Sequence, residues 1–493
     1  MCGIAAIQGR SDERQLSGML EAMRHRGPDD RGTFCRPEAS LGQVRLSIID
    51  LLTGHQPLVD QEAEQAIAYN GEVYNFQLLR ERLAPRHPFV TRTDTEVILR
   101  LYQERGTACI EELDGMFAFV IYDRGALIVA RDRLGIKPLY YGRDASESLV
   151  IASELKGLGQ CHDIREFPPG HIYDSRSGFQ PYYAIPRRTP VPQSPEAAAR
   201  ALRSVLQDAV QKRLVADVPV GVFLSGGLDS SIIAAVMRGF IPELHSFAVG
   251  MEGAPDLAAA REVASHLGTC HHEYVYSAQE MLQLLSPVIY YLESFDMPLV
   301  RSAIPGYLVS RLAAQHVKVI LTGEGSDELF SGYHHLKAID DPTELSDELH
   351  AITSRLHNTN LQRTDRMSMA HSIEARVPFL DPSVIAAAAS LPIELLQPRD
   401  GQMEKWILRK AFADDLPEEI VWRRKQKFSE GAGSMDILRR TAEESITEQE
   451  FAAATAAAPV TIRSKEELLY YRVFCEHYGV PSSPELVGQT LRY

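Results

Sequence analysis

Apolar positions in the first third of the chain come in short blocks separated by turn residues. GMFAFVIYD, ALIVARD and SLVIASE are four to eight apolar residues long and end in polar or turn residues, which predicts strands. QLSGMLEAM and EVILRLYQERG place their apolar residues at helical spacing instead. Strands mixed with a few amphipathic helices predict an α+β layered domain. The run IPRRTPVPQSP, ending at Pro195, is dense in proline and polar residues and predicts a linker. The expected partition is therefore 1–185, a linker at 186–198, and 199–493.

Beyond the linker the period changes. PEAAARALRSVLQDAVQKRL reads as a long amphipathic helix. VPVGVFLSGG is an apolar strand running into a glycine turn, and LDSSIIAAVMRGF is helical. LHSFAVGM is a second strand followed by the helical DLAAAREVASHLG, and VKVILTGEG is a third strand ending in glycines. Strand, glycine turn and helix in repetition predict an α/β domain with a parallel sheet of the nucleotide-binding kind. The last hundred residues read as mainly helical.

Composition narrows the classes. The chain has 493 residues, 45% hydrophobic and 24% charged, as in a soluble globular protein of two or three domains. A formal net charge of −15 argues against nucleic acid or an anionic membrane as the main partner, while leaving room for a local basic pocket. No apolar run reaches the length of a membrane span. The start, MCGIAAIQGRSDER, becomes charged too early for a secretory leader. Six scattered cysteines without a CxxC pair argue against zinc or disulfide frameworks and suit a reducing cytoplasm. The pairs His271-His272 and His334-His335 lack a second ligand group at metal spacing and read as packing or polar surface.

Cys2 stands apart by position. If Met1 is removed, Cys2 carries both a thiol and a free α-amine, whose pKa of about 7.7–8.0 suits a base acting on its own side chain. On position alone, a buried inert thiol is an equal alternative. The motifs that follow decide between them. MCGI, MRHRGPDD, RLSIID, YNGEVYN, TDTEV, DGMFAFVIYD, RDRLGIKPLYY and EFPPG resemble, in order, those of class II glutamine amidotransferase domains, which are N-terminal-nucleophile hydrolases. The resemblance covers about residues 1–185. It implies that Cys2 frees ammonia from glutamine and that Asn70 and Gly71 form an oxyanion hole. It further implies that Arg45, with Leu46, Ser47, Ile48 and Ile49 beside it, receives the glutamine carboxylate, and that Glu72 and Asp94 receive its ammonium group. The chemistry suits these residue types, since a tetrahedral oxyanion needs preorganised donors and a carboxylate fits a guanidinium fork. Arg92 stands where the family's bacterial members carry glycine, at the expected rim of the pocket.

SGGLDSS follows an apolar strand and opens a helix, without the GKS or GKT of a Walker loop. Small residues there let backbone amides approach phosphates. The segment resembles the pyrophosphate loop of ATP pyrophosphatases. ILTGEGSDELFSGY, RTDRMSMAHSIEARVPFLD and VWRRKQKFSEG resemble the synthetase half of asparagine synthetases. That resemblance implies ATP contacts at Leu224, Ser225, Gly226, Gly227, Asp229, Ser230, Val249, Thr322 and Gly323. It implies Mg²⁺ ligands at Asp229 and Asp327, a role for Glu324 in forming an acyl-adenylate, and phosphate-charge stabilisation by Lys425. HSIEARVPFLD is expected to be structural or tunnel-lining.

Together the halves imply a ligase in which ammonia attacks an acyl-adenylate. The expected partners are glutamine, aspartate and ATP, and a homodimer is allowed for. For aspartate, Arg301 is the expected α-carboxylate anchor and Asp256 lies near substrate and ATP. Pro298 and Leu299 replace the family's threonine pair, so another acid is the alternative acceptor. An inactive binding relative is the third reading; the intact set Cys2, Asn70, Asp229, Glu324 and Asp327 argues against it, and a β-lactam-forming relative would have no use for a working Cys2.

Overall fold

The computed structural model describes residues 2–397, 403–424, 435–481 and 486–490, without the side chains of 435 and 436. The first half is built on twelve strands: β1 (Cys2–Gln8), β2 (Asp30–Arg36), β3 (Ala39–Arg45), β4 (Leu58–Asp60), β5 (Gln65–Val73), β6 (Gly115–Asp123), β7 (Ala126–Arg131), β8 (Tyr140–Arg143), β9 (Leu149–Ala152), β10 (His162–Glu166), β11 (His171–Asp174) and β12 (Gly178–Pro181). They form two six-stranded sheets, β10-β8-β9-β1-β3-β2 and β12-β11-β7-β6-β5-β4, with every pair antiparallel. Alternation along β1 explains the stacking. Ile4 and Ala6 face the second sheet, among Ala66, Ala68, Ala118 and Val120. Ala5 and Ile7 face the other way, onto Leu16 and Leu20 of the helix α1 (Glu13–Ala22). The helices α2 (Phe76–Leu83) and α3 (Asp94–Arg105) cover the outer face of the second sheet. Helix, sheet, sheet, helix is the α+β layering expected of the sequence. Thr93 starts α3 by accepting a hydrogen bond from the Glu96 amide.

The second half opens with α4 (Pro195–Lys212), capped by Ser194. Its centre is the parallel sheet β15-β14-β13-β16-β17, formed by β13 (Val220–Phe223), β14 (His245–Gly250), β15 (Cys270–Val275), β16 (Val319–Leu321) and β17 (Glu374–Arg376). The helices α5 (Leu228–Arg238) and α6 (Pro255–Leu267) follow β13 and β14. From β13 the chain builds outward to β14 and β15, then returns to place β16 on the other side. That reversal opens a crevice at the carboxyl ends of β13 and β16, where open α/β sheets bind ligands. SGGLDSS leaves β13 and TGEG leaves β16, so both glycine turns meet there.

The halves are joined by a buried group of ions. Arg26 of the first half contacts Glu154 at 2.6 Å and Asp365 of the second half at 2.7 Å. Lys156 bridges Glu154 and Glu293, each at 2.7 Å. Arg366 reaches Glu293 at 2.7 Å and Glu154 at 3.3 Å. Arg26, Glu154, Glu293, Asp365 and Arg366 are all buried. Burial alone would raise the Glu154 carboxyl, but Lys156, His25 and the two arginines outweigh it and hold it well below the usual range. Desolvated charges repay their cost only when every one is matched. Arg366→Ala leaves Glu154 and Glu293 undercompensated and is expected to cost about 3–5 kcal/mol. Equilibrium urea unfolding measures it; a loss under about 1 kcal/mol would show that the network does not hold the halves together.

Candidate active sites

The register of β1 on β3 sets Cys2 opposite Arg45, on the sheet facing Asn70 of β5. The Cys2 amide donates to Asn70 Oδ1 at 2.9 Å. The Nδ2 of Asn70 is buried and has no hydrogen-bond partner among the described residues. A buried donor left open beside a thiol is what an oxyanion hole requires. Gly71 has φ +156°, and a Cβ there would lie 2.1 Å from the Met116 carbonyl oxygen, so no side chain fits where β5 passes β6. Burial pushes the Cys2 thiol up, partly offset by the Leu46 amide and Arg45.

A cavity of about 30 Å³ adjoins the thiol, lined by Cys2, Arg45, Leu46, Ile48, Ile49, Gly71, Glu72 and Asp94 among others. At that volume the pocket has room for little more than a water-sized group. Arg45 Nη2 donates to the Ile49 and Asp50 carbonyls at 3.1 and 2.7 Å, fastening the loop that forms the rim. Ser47 lies beside the pocket, its amide taken by Asp29 at 2.8 Å. The Arg92 side chain is exposed, and its amide donates to Asp50. Asp94 accepts from the Tyr69 hydroxyl at 2.7 Å and the Val73 amide at 3.0 Å; burial still leaves its carboxyl raised. Burial and the nearby Glu374 push Glu72 well above the carboxylate range, although Arg376 lies 3.5 Å away. Glu374 and Arg376 belong to HSIEARVPFLD, which thus reaches the thiol pocket from the other half of the chain.

The crevice of the parallel sheet is a much larger cavity of about 760 Å³. Leu224, Ser225, Gly227, Asp229, Ser230, Val249, Asp256, Thr322, Gly323, Glu324 and Asp327 all line it. Gly226 sits just behind: at φ +70°, a Cβ would come within 2.5 Å of Ala259 and Ala260. Glycine is therefore what lets the loop turn against α6. Gly227 caps α5 without a side-chain hydrogen bond, and Gly227, Leu228, Asp229 and Ser230 at that helix start all line the cavity. Ser230 Oγ links to Ser225 Oγ at 3.2 Å and donates to the Gly227 carbonyl at 3.1 Å, shaping the loop.

Asp229 and Asp327 converge on one cation. Lys405 Nζ lies 2.6 Å from Asp229 and 2.5 Å from Asp327. Lys405 is buried and has φ +56°, a costly backbone conformation for lysine that its surroundings must impose. Two hard carboxylates gathered around one positive charge are a donor set that fits Mg²⁺. Glu324 accepts from Arg363, which also donates to Ser302 Oγ at 3.0 Å. Arg423 spans the loop and α6, contacting the Gly226 carbonyl at 3.2 Å and Asp256 at 2.8 Å.

Two expectations fall elsewhere. Arg301 does not line the cavity; its guanidinium is buried against Glu466, with Nε to Oε1 at 2.7 Å. In this structure the Arg301 fork is paired with a carboxylate of the protein itself. Lys425 lies outside the described residues. Lys405, Arg363 and Arg423 were not singled out in the sequence. For Lys405, the one available signal is a lysine beside Glu404 at the start of the apolar helix Trp406–Ala411.

Residues 1–198 match the family model of a glutamine amidotransferase domain, and residues 201–343 and 338–483 match that of asparagine synthase. Asparagine synthetase B [glutamine-hydrolyzing] of Escherichia coli (strain K12) is 40% identical over 512 residues, which is 98% of this chain and 91% of that one. The chain belongs to the glutamine-hydrolysing asparagine synthetases. Asparagine synthetases of Brassica oleracea (39% identical; 99% of this chain, 88% of that one) and Sandersonia aurantiaca (39%; 97% and 96%) are further relatives. Within this family the two cavities correspond to the two matched regions, the thiol pocket in the first and the glycine-loop crevice in the second.

Lys405→Met is expected to leave Asp229 and Asp327 repelling each other, lowering the melting temperature. Millimolar Mg²⁺ should restore more stability to this variant than to the parent, as differential scanning fluorimetry would show. Equal Mg²⁺ responses would mean that the two carboxylates do not share a cation.

Proposed function

We infer that this chain makes asparagine from aspartate, ATP and glutamine, in two chambers. At the first, the Cys2 thiol attacks the glutamine amide, and hydrolysis of the acyl-enzyme returns glutamate after ammonia has left. Asn70 Nδ2 and the Gly71 amide steady the oxyanion. Arg45 takes the carboxylate once the rim loop opens. Glu72 and Asp94, raised by burial, regain their charge when the substrate ammonium comes to lie beside them.

At the second chamber the aspartate side-chain carboxylate attacks the α-phosphorus of ATP, forming β-aspartyl-AMP and releasing pyrophosphate. Ammonia then displaces AMP. Activation is required because a carboxylate is a poor electrophile. The α5 amides, Ser225 and Ser230 cradle phosphate oxygens, with Arg423 beside the loop. Asp229 and Asp327 would hold Mg²⁺, which supplies charge neutralisation on the pyrophosphate. Val249, Thr322 and Gly323 receive the nucleoside, and Glu324 with Arg363 orients the aspartate carboxylates. Arg363, the guanidinium that reaches Glu324, stands with Arg301 as an anchor for the aspartate carboxylates. Lys425 neutralises the phosphates as the adenylate forms. Six free thiols suit a reducing cytoplasm, and among the described residues no helix is long and apolar enough to cross a membrane.

The observation that carries this reading is a near-complete family match, joined to a buried thiol with an open amide donor in one half and converging carboxylates in the other. Cys2→Ala is expected to abolish glutamine-dependent synthesis and leave synthesis from added ammonia intact. Glu324→Ala should block aspartate-dependent pyrophosphate release while glutaminase turnover continues. Pyrophosphate release that ignores aspartate, or loss of ammonia-dependent synthesis in Cys2→Ala, would overturn this division of labour.

A further inference from the structure

Three imidazoles meet at the entry end of the parallel sheet. Parallel pairing of β14 with β15 sets His245 opposite Cys270 and Phe247 opposite His272. Side chains alternate along a strand, so His245 and His272 share one sheet face. His271 points to the other face, where it meets Ser246 and Glu273. The helix Met297–Ala313 packs on the His272 face, and His316 follows its last turn, with the His316 amide bonded to the Ala313 carbonyl. Three separate elements thus deliver three rings to one place.

The donor atoms are close. His245 Nδ1 lies 2.9 Å from His272 Nε2, and the ligating nitrogens of His245, His272 and His316 all lie within 4.8 Å of one another. The rings of His272 and His316 are 3.9 Å apart. His245 and His272 are half-buried, while His316 is exposed and can turn. A tetrahedral ion with bonds of 2.0–2.1 Å separates its ligand atoms by about 3.4 Å; the rings lie stacked, at 13° for His245 with His272 and 29° for His272 with His316, and must turn out of the stack to aim their nitrogens at one ion.

We propose that His245, His272 and His316 bind one divalent cation of the zinc class, with the fourth position open to water. Three imidazoles select borderline first-row ions such as Zn²⁺, Cu²⁺ or Ni²⁺, whereas the all-oxygen pair Asp229 and Asp327 suits Mg²⁺. The two sites therefore differ in ligand chemistry. In place they are neighbours separated by one ring: His245 starts β14, and Phe247, two residues on, lines the nucleotide cavity while its ring lies 5.1 Å from that of His272. A bound ion would tie β14 and β15 to the end of the helix Met297–Ala313, whose residues Ser302, Gly306 and Val309 line that cavity.

The test uses the full chain, stripped with a chelator and dialysed against micromolar Zn²⁺ in excess Mg²⁺. Metal content by atomic emission is expected to show one Zn²⁺ per chain in the parent. His316→Ala, at an exposed position that leaves folding intact, should bind at least tenfold less, and His272→Ala likewise. His271→Ala and Cys270→Ser should keep the ion. Co²⁺ in place of Zn²⁺ should give visible bands of a nitrogen-ligated ion without a thiolate charge-transfer band. No Zn²⁺ in the parent, equal Zn²⁺ in His316→Ala and His272→Ala, or a thiolate band would each overturn the proposal.

Discussion

The buried ions between the two halves are the constraint on which the rest of the structure hangs. Arg26 sits at their centre. Its Nε donates to the Cys2 carbonyl at 2.9 Å, while its Nη1 holds Glu154 and Asp365. The nucleophile's own backbone is thus fastened to a charge group that closes only when the second half is docked. Such a group contributes through completeness: each member is affordable because its neighbours are present.

The two chambers place opposite demands on charge. The thiol pocket is small, and its acids are pushed toward neutrality by burial. The nucleotide crevice gathers Lys405, Arg363, Arg409 and Arg423 around its acids, although the chain as a whole is strongly acidic. Local field here runs against net charge, because phosphates respond to what lies within a few ångströms and a distant surface charge is screened.

Strands with one or two apolar faces and glycine turns at their ends were legible in the sequence, because local periodicity encodes them. β13, β14 and β16 appear where their apolar blocks stand. β15 (CHHEYV) and β17 (EAR) were not legible: each lies at an edge of the sheet, and one is polar while the other is three residues long. Residues whose role depends on partners far along the chain were equally hidden. Arg26, Glu154 and Arg366 were not singled out in the sequence, yet all are buried. Arg301 reads as a carboxylate anchor, and its pairing with Glu466 appears only across the folded domain. His316 gains meaning only where the helix before it ends.

The helix Asn360–Met369 belongs to the second half by sequence, yet it serves both. Arg363 reaches Glu324 in the nucleotide crevice, and two residues later Asp365 grips Arg26 behind Cys2. A single turn of backbone therefore reaches toward both cavities. The consequence is one of inheritance: the halves are not interchangeable parts. An amidotransferase domain transplanted from a relative would arrive without the counter-ions that seat it, so the heritable module is that domain together with this distant helix, and drift in one is legible only against the other.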